Sequence, residues 1–369
     1  MNDEKLILHI ARTSLAGAPI RLVKALNKYT PYKARLLDFI PLKMEDGEYK
    51  FPEDLDWYVP ENREEAKELI KNADIIHFHH YMDLEINPFL VNFKKETKPG
   101  CKFIRQFHSS YEFINRSEIR FEENYKKDTL AKIVIPHYPE RTFLNLEIAP
   151  NIIPIDEEYC KPFRTNNRKL KVMYSASCTT PRLDERWATK GYPEVSAILK
   201  ELSKKLDFEY VEISNTQFYE TMNLKRQCDI VVGDTVTGSY HLTELEALSM
   251  GKPCLTYLDA RSAMTFMNTF KTKDIPFVNV YMDEIENALT ELIKNKELRE
   301  DIGRFSREWM EKHYKEEILI KQYTDIYNKL LVGEEIERPD SKEHAAAKEF
   351  LYNKVYDYRW ENERAKNER

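Results

Sequence analysis

The sequence predicts an α/β protein built as two doubly wound, parallel-sheet domains in succession, with a helical C-terminal extension. Three observations carry that expectation. The chain has 369 residues, which suits two domains of ordinary size. Short apolar runs alternate with stretches of helical spacing, the pattern of a parallel sheet covered on both faces. The alternation halts near Pro150 and restarts at Leu170. The domains are therefore expected at residues 1–150 and 151–313. C-terminal helices are expected over 314–369, the first crossing back to the N-terminal domain.

In the first domain, residues 6–10 read as a strand, 13–18 as a turn and 20–28 as a helix, introduced by Pro19 where a helix tolerates proline. A strand over 34–39 follows, then a helix capped by Asn62 and ending at Asn72. Strands at 74–79 and 102–107 are joined through a helix at 88–96. A strand at 132–135, a short helix and a brief strand ending at Pro150 complete the domain. Residues 151–168 are polar, hold Pro154 and Pro162, and read as a linker. The second domain repeats the pattern, with strands at 170–174, 208–213, 229–232, 254–258 and 277–280 and helices at 193–204, 216–226 and 242–250. Helical spacing continues over 284–293, 296–311 and 315–331. The last stretch, 334–369, is highly charged with Tyr352, Tyr356, Tyr358 and Trp360 interleaved, and reads as a solvated helix with a narrow aromatic stripe.

Composition narrows the function. Lys+Arg 57 against Asp+Glu 63 leaves a net charge of −6, which argues against a nucleic-acid binder. No apolar run approaches the roughly 20 residues of a membrane span. The acidic pair Asp3-Glu4 does not suit a secretory signal. Five scattered cysteines without a C-x-x-C pair read as reduced thiols of a cytoplasmic protein and weaken a zinc reading. Neither the dinucleotide nor the P-loop glycine fingerprint is present.

Ligands of open α/β sheets bind beyond the carboxyl ends of the strands, so the segment after each strand is a candidate. Residues 11–19, with Gly17, form a small loop feeding a helix N-terminus that can hold an anion. Alternation puts His77 and His79 on one face of their strand, as polar cleft lining or as packed core. A metal there would need a third ligand, which the sequence does not indicate. His108, at the end of its strand, suits acid–base chemistry or contact with a substrate hydroxyl. Arg182, Arg186 and Lys190 flank a long polar loop before Gly191 and suit a diphosphate clamp, because a departing phosphate needs positive charge. The densest signal is 229–253: a strand ending at Gly233, a loop with Gly238, and a helix whose N-terminus can face a phosphate. Leu242, Leu245 and Leu248 form the packed face of that helix. Glu244 and Glu246 lie on opposite flanks, and periodicity does not choose between them.

The run Leu245-Glu246-Ala247-Leu248-Ser249-Met250-Gly251-Lys252-Pro253, preceded by Gly238-Ser239-Tyr240, resembles the donor-binding motif of the GT-B glycosyltransferases. Within them it is similar to the retaining, family 4-like group. Lys190-Gly191, Pro150-Asn151, Asp74-Ile75-Ile76-His77 and Gly17-Ala18-Pro19 agree with that resemblance, which spans residues 5–332. It implies two Rossmann-like domains facing a cleft, with a nucleotide-diphosphate sugar on the second and a glycan or lipid-linked acceptor on the first. Glu246 is then the residue that bonds the ribose hydroxyls. Lys190 meets the diphosphate with Arg182 or Arg186. Gly238, Ser239, Tyr240 and Leu242 are placed at the donor, His108 at the transferred sugar, and Gly17 near the phosphate or acceptor. The resemblance implies no metal, no cofactor beyond the donor, and a cytoplasmic setting in bacterial envelope polysaccharide assembly, with peripheral attachment to the inner face of the membrane as an option. One departure is plain: the family pairs its ribose glutamate with an earlier one, at the position that Gly238 occupies here. A nucleotide-sugar epimerase of the same architecture and a catalytically silent binding subunit of a transferase complex are the alternative readings.

Overall fold

The computed structural model describes residues 4–109, 124–125, 127–137, 143, 146–165, 169–175 and 190–336. Seven strands form the first sheet: β1 (Leu6–Ala11), β2 (Lys33–Asp38), β3 (Leu55–Asp56), β4 (Ile75–His79), β5 (Lys102–Phe107), β6 (Ala131–Val134) and β7 (Glu147–Ile148). Their order is β3-β2-β1-β4-β5-β6-β7, and every pairing is parallel. The second sheet holds β8 (Leu170–Ser175), β9 (Phe208–Ile213), β10 (Ile230–Val232), β11 (Cys254–Thr256) and β12 (Val278–Asn279) in the order β12-β11-β10-β8-β9, also parallel. Each order reverses beside its first strand, between β1 and β4 and between β8 and β10, and such switch points leave a crevice for ligands.

The strands are apolar because helices cover both faces. On one face of the first sheet, Ile7 and Ala11 pack with α1 (Ala18–Tyr29). On the other, Leu8, Ile10, Ile76 and Phe78 pack with Ala66 and Ile70 of α2 (Pro60–Asn72). The other helices among the described residues are α3 (Phe93–Glu96), α4 (Glu194–Lys205), α5 (Phe218–Gln227), α6 (Leu242–Ser249), α7 (Ala260–Phe270), α8 (Ile285–Lys294), α9 (Lys296–His313) and α10 (Glu316–Val332). The last of these lies over the first sheet: the Tyr327 hydroxyl meets His77, and the Tyr323 hydroxyl accepts from Gln106. No helix among the described residues is long and apolar enough to cross a membrane.

Several sequence expectations are corrected. Helix α2 begins at Pro60, so Asn62 sits in the first turn instead of capping it. Only 93–96 of the expected 88–96 helix forms, because the Asn87 amide donates to the Val91 and Asp83 carbonyls and Leu90 takes a φ of 59°. Strand β3 and helix α7 were not anticipated, although Asp259 caps α7 by accepting from the Ser262 amide. The start of the expected linker is core: Ile152, Ile153 and Ile155 are buried, and the Tyr314 hydroxyl bonds the Asn151 carbonyl at 2.8 Å. Cys101, Cys160, Cys228 and Cys254 are free thiols, while Cys178 and the charged tail from 337 onward lie outside the described residues.

Helix α9 crosses the end of α6 at close backbone contact. A Cβ on Gly303 would lie 2.3 Å from the Gly251 carbonyl oxygen, a backbone atom that cannot rotate away. Gly303→Ala is therefore expected to lower stability by about 1–3 kcal/mol, read as a lower urea midpoint with the slope unchanged.

Candidate active site

A cavity of about 440 Å³ opens between the carboxyl ends of the two sheets. His108 and His137 reach it from the ends of β5 and β6, and Ser175, Lys190 and Glu246 from the second domain. The loop at Leu42, Lys50 and Phe51 forms another wall and ties the domains together, with Lys50 Nζ donating to Asn215 Oδ1 at 3.2 Å.

The turn holding Lys190 is built from two left-handed residues, Lys190 (φ 51°) and Gly191 (φ 79°). The Tyr174 hydroxyl donates to the Lys190 carbonyl at 3.2 Å. A Cβ on Gly191 would lie 2.4 Å from Val236 Cγ2, so the turn needs glycine for close approach as well as for φ. Arg182 and Arg186 lie outside the described residues.

The loop before α6 separates the two glutamates that the helical period left equivalent. Glu244 is fully buried and accepts from the amides of Asp234 and His241 at 2.8 and 2.9 Å, stapling the loop to the helix. Gly233 leaves room for it, since a Cβ there would meet the Glu244 side chain at 2.4 Å. Asp234 receives amides from Val236 and Thr237 and the His241 ring, which outweigh burial and hold its carboxyl below the usual range. Glu246 lines the cavity instead. Its Oε1 accepts from Arg21 Nη2 of α1 at 2.5 Å, and its Oε2 pairs with Lys225 Nζ of α5. Burial alone would raise this carboxyl, but Lys225 and Arg21 outweigh it and hold it low. Arg21 also sits 5.1 Å over the Phe218 ring, a cation–π contact. Sequence reasoning singled out neither Arg21 nor Lys225. Each lies in an amphipathic helix, where a cation reads as solvated surface.

The predicted donor residues divide. Leu242 lines the cavity together with His241 and Thr243, at the N-terminal end of α6. Gly238, Ser239 and Tyr240 are not on its wall. Ser239 Oγ donates to the His137 carbonyl at 3.2 Å, and the buried Tyr240 ring stacks on His137 at 4.1 Å, so this segment faces the first domain. Gly17 caps α1 in left-handed geometry and borders a smaller cavity of about 140 Å³.

His108 is held on both sides. Its Nδ1 lies 3.1 Å from Asn151 Oδ1 and its Nε2 lies 2.8 Å from His79 Nδ1. An amide oxygen only accepts, so His108 Nδ1 donates and its Nε2 accepts from His79. His79 Nε2 then accepts from His9 Nδ1 at 3.1 Å. Burial first, then neighbouring histidines, pushes His79 and His108 well below the ordinary imidazole range, so both are neutral at pH 7. With both ring nitrogens bonded internally, His108 lacks the free nitrogen that a general base requires. His77 and His79 do not line the cleft: they are buried on the sheet face under α10. His137, which sequence analysis passed over, follows the strand-end rule as well as His108 does.

Away from the cavity, Asp38 ends β2 with neither carboxylate oxygen bonded. Burial, then Glu53, Asp56 and Asp54, pushes it up to about 8. From the ordinary carboxylate range to about pH 8 the folded chain keeps a proton that the unfolded chain has released, so stability falls as pH rises through that window. Asp38→Asn is expected to flatten this slope and to raise stability at pH 8 by roughly 2 kcal/mol or more, read from melting curves across pH.

By sequence, no protein-family model and no curated protein matches the chain. By structure it is similar to an α-glucosyltransferase solved in complex with UDP-glucose and DNA containing an abasic site, at 11% identity and a TM-score of 0.62, covering 88% of this chain and 99% of that one. It is also similar to sucrose-phosphate synthase from Thermosynechococcus elongatus (12% identity, TM-score 0.54, 89% of this chain and 100% of that one). HepE of Anabaena in complex with UDP is similar at 13% identity and a TM-score of 0.53, covering 88% of this chain and 100% of that one. At such identities the likeness is one of fold, and the chain has the two-domain, parallel-sheet α/β architecture of the GT-B glycosyltransferases.

Proposed function

We propose that this chain is a glycosyltransferase that moves a sugar from a nucleotide-diphosphate donor on its second domain to a hydroxyl of a glycan or lipid-linked acceptor on its first. One observation carries the reading. Lys190 and Glu246, which the GT-B resemblance assigns to the diphosphate and the ribose, come from separate turns yet line the same interdomain cavity. The N-terminal end of α6 opens onto that cavity, where a helix favours negative charge. Lys190 neutralises the departing diphosphate. Glu246 accepts from the ribose hydroxyls, since a carboxylate has lone pairs beyond those its two cations occupy. Closure of the two lobes keeps water from the donor. The resemblance favours a metal-independent transfer with retention, and the internally bonded His108 gives little support to inversion through a histidine base.

The DNA in the α-glucosyltransferase structure belongs to that protein, and the net charge of −6 here favours an acceptor other than nucleic acid. Assembly of bacterial envelope polysaccharide, on the cytoplasmic side of the membrane, is the setting the resemblance favours. The test is a calorimetric screen of UDP, GDP, CMP and ADP, followed by transfer assays with sugars of the nucleotide that binds. UDP is the first candidate, because two of the similar structures hold UDP or UDP-glucose. One-to-one binding of a nucleoside diphosphate by the wild-type chain is expected. Failure of all four to bind removes the proposal, and a donor converted without any acceptor would favour an epimerase.

A further inference from the structure

Beneath α10, three imidazoles converge on the first sheet. The parallel register sets His9 of β1 directly beside His77 of β4, and His79 follows two residues later on the same face. The His77 and His79 rings stack at 4.6 Å, and those of His9 and His77 lie 4.8 Å apart. One nitrogen from each residue lies within 4.8 Å of the other two. All three are buried.

The rings are oriented from outside. His77 is held through Nδ1 by the Tyr327 hydroxyl at 2.7 Å, and His79 through Nδ1 by His108 at 2.8 Å. That leaves Nε2 of each ring as its potential ligand atom, the arrangement in which an outer partner fixes a metal-binding imidazole. His77 Nε2 has no hydrogen-bond partner, and an orphaned buried nitrogen of this kind costs free energy. We propose that His9, His77 and His79 form a buried binding site for a late first-row transition metal ion, with an imidazole set that suits zinc, cobalt or copper. The His9 Nδ1 to His79 Nε2 separation of 3.1 Å is already close to that of two ligands on one tetrahedral ion, about 3.3 Å from bond lengths near 2.0–2.1 Å. Loading requires that the His9 proton move from Nδ1 to Nε2 and that the His77 ring draw inward. The three ligands are neutral, so the fourth position falls to water or hydroxide, which lowers the charge brought into the core. The site is separate from the transfer cavity and, among the described residues, meets it through the His79–His108 bond, so its test is independent of the transferase reading.

The experiment titrates chelator-treated, full-length protein with CoCl2, ZnCl2 and CuCl2 separately, by calorimetry and, for cobalt, by visible absorption. One equivalent of metal is expected to bind, with the intense visible bands of four-coordinate cobalt and a raised melting temperature. Tyr327→Phe keeps the ring in the core but removes the outer partner, and is expected to weaken binding about 10- to 100-fold. His9→Gln and His77→Gln are expected to abolish the stoichiometric phase. His313→Gln, a histidine outside the cluster, should leave it unchanged. Absence of stoichiometric binding of all three metals by the wild-type chain overturns the proposal, whatever the folding of the variants. So does binding that survives unchanged in folded His9→Gln and His77→Gln, and the three rings are then a stacked, metal-free part of the core.

Discussion

Lys190→Ala is expected to lower kcat by about 100-fold or more, with little change in melting temperature. The argument is electrostatic. In the proposed transfer, negative charge moves onto the departing diphosphate as the bond to the anomeric carbon breaks. A cation fixed beforehand stabilises that charge without reorganising. Lys190 stands on a turn that Tyr174 and Gly191 hold in place, so its position is set by the fold. Its side chain borders the cavity and forms no ion pair among the described residues, so removing it leaves no buried partner uncompensated. A steady-state comparison at saturating donor separates this from loss of binding, because a charge effect confined to the transition state lowers kcat and kcat/KM alike. Turnover near that of the wild type would exclude Lys190 from the reaction.

Glu246→Ala is expected to cost about 3–5 kcal/mol of stability, the scale for breaking a buried ion pair by removing one partner. Here one carboxylate serves two cations. Arg21 comes from the first domain and Lys225 from the second, and both are buried. Without Glu246 each guanidinium or ammonium must ionise against low-dielectric surroundings or draw in water. Because Glu246 is held below the usual carboxylate range, its contribution is present at neutral pH. It fades as acid protonates the carboxyl. Replacing Arg21, Lys225 and Glu246 together by methionine is expected to recover most of the lost stability, since the desolvation cost vanishes along with the attraction. Urea unfolding of the single and triple variants decides the matter. Additive losses would mean that the three side chains do not act as one network. Donor affinity of the triple variant then reports the ribose contact free of the stability effect.

The missing N-terminal helix turn at 88–92 shows how local chemistry overrides pattern. The apolar spacing there is compatible with a helix, but the Asn87 side chain offers the backbone a different set of hydrogen bonds. Expectations for 151–155 failed for another reason. Prolines and polar neighbours suggest an exposed connection, yet Ile152, Ile153 and Ile155 find apolar surface only when both domains and α9 are in place.

The alternation of apolar runs and helical stretches determined, without coordinates, two parallel-sheet units, because a strand buried on both faces must be apolar throughout and its crossovers must be amphipathic. The motif around Glu246 and the Lys190-Gly191 pair were equally legible, since both are local in the chain. Tertiary structure alone decided what meets them. Arg21 lies 225 residues from the carboxylate it pairs with, and His9 becomes the third imidazole only through the register of two parallel strands. Periodicity reports which face of an element is buried. It carries no information on which distant face will be pressed against it, and the charges of this site are balanced across such contacts.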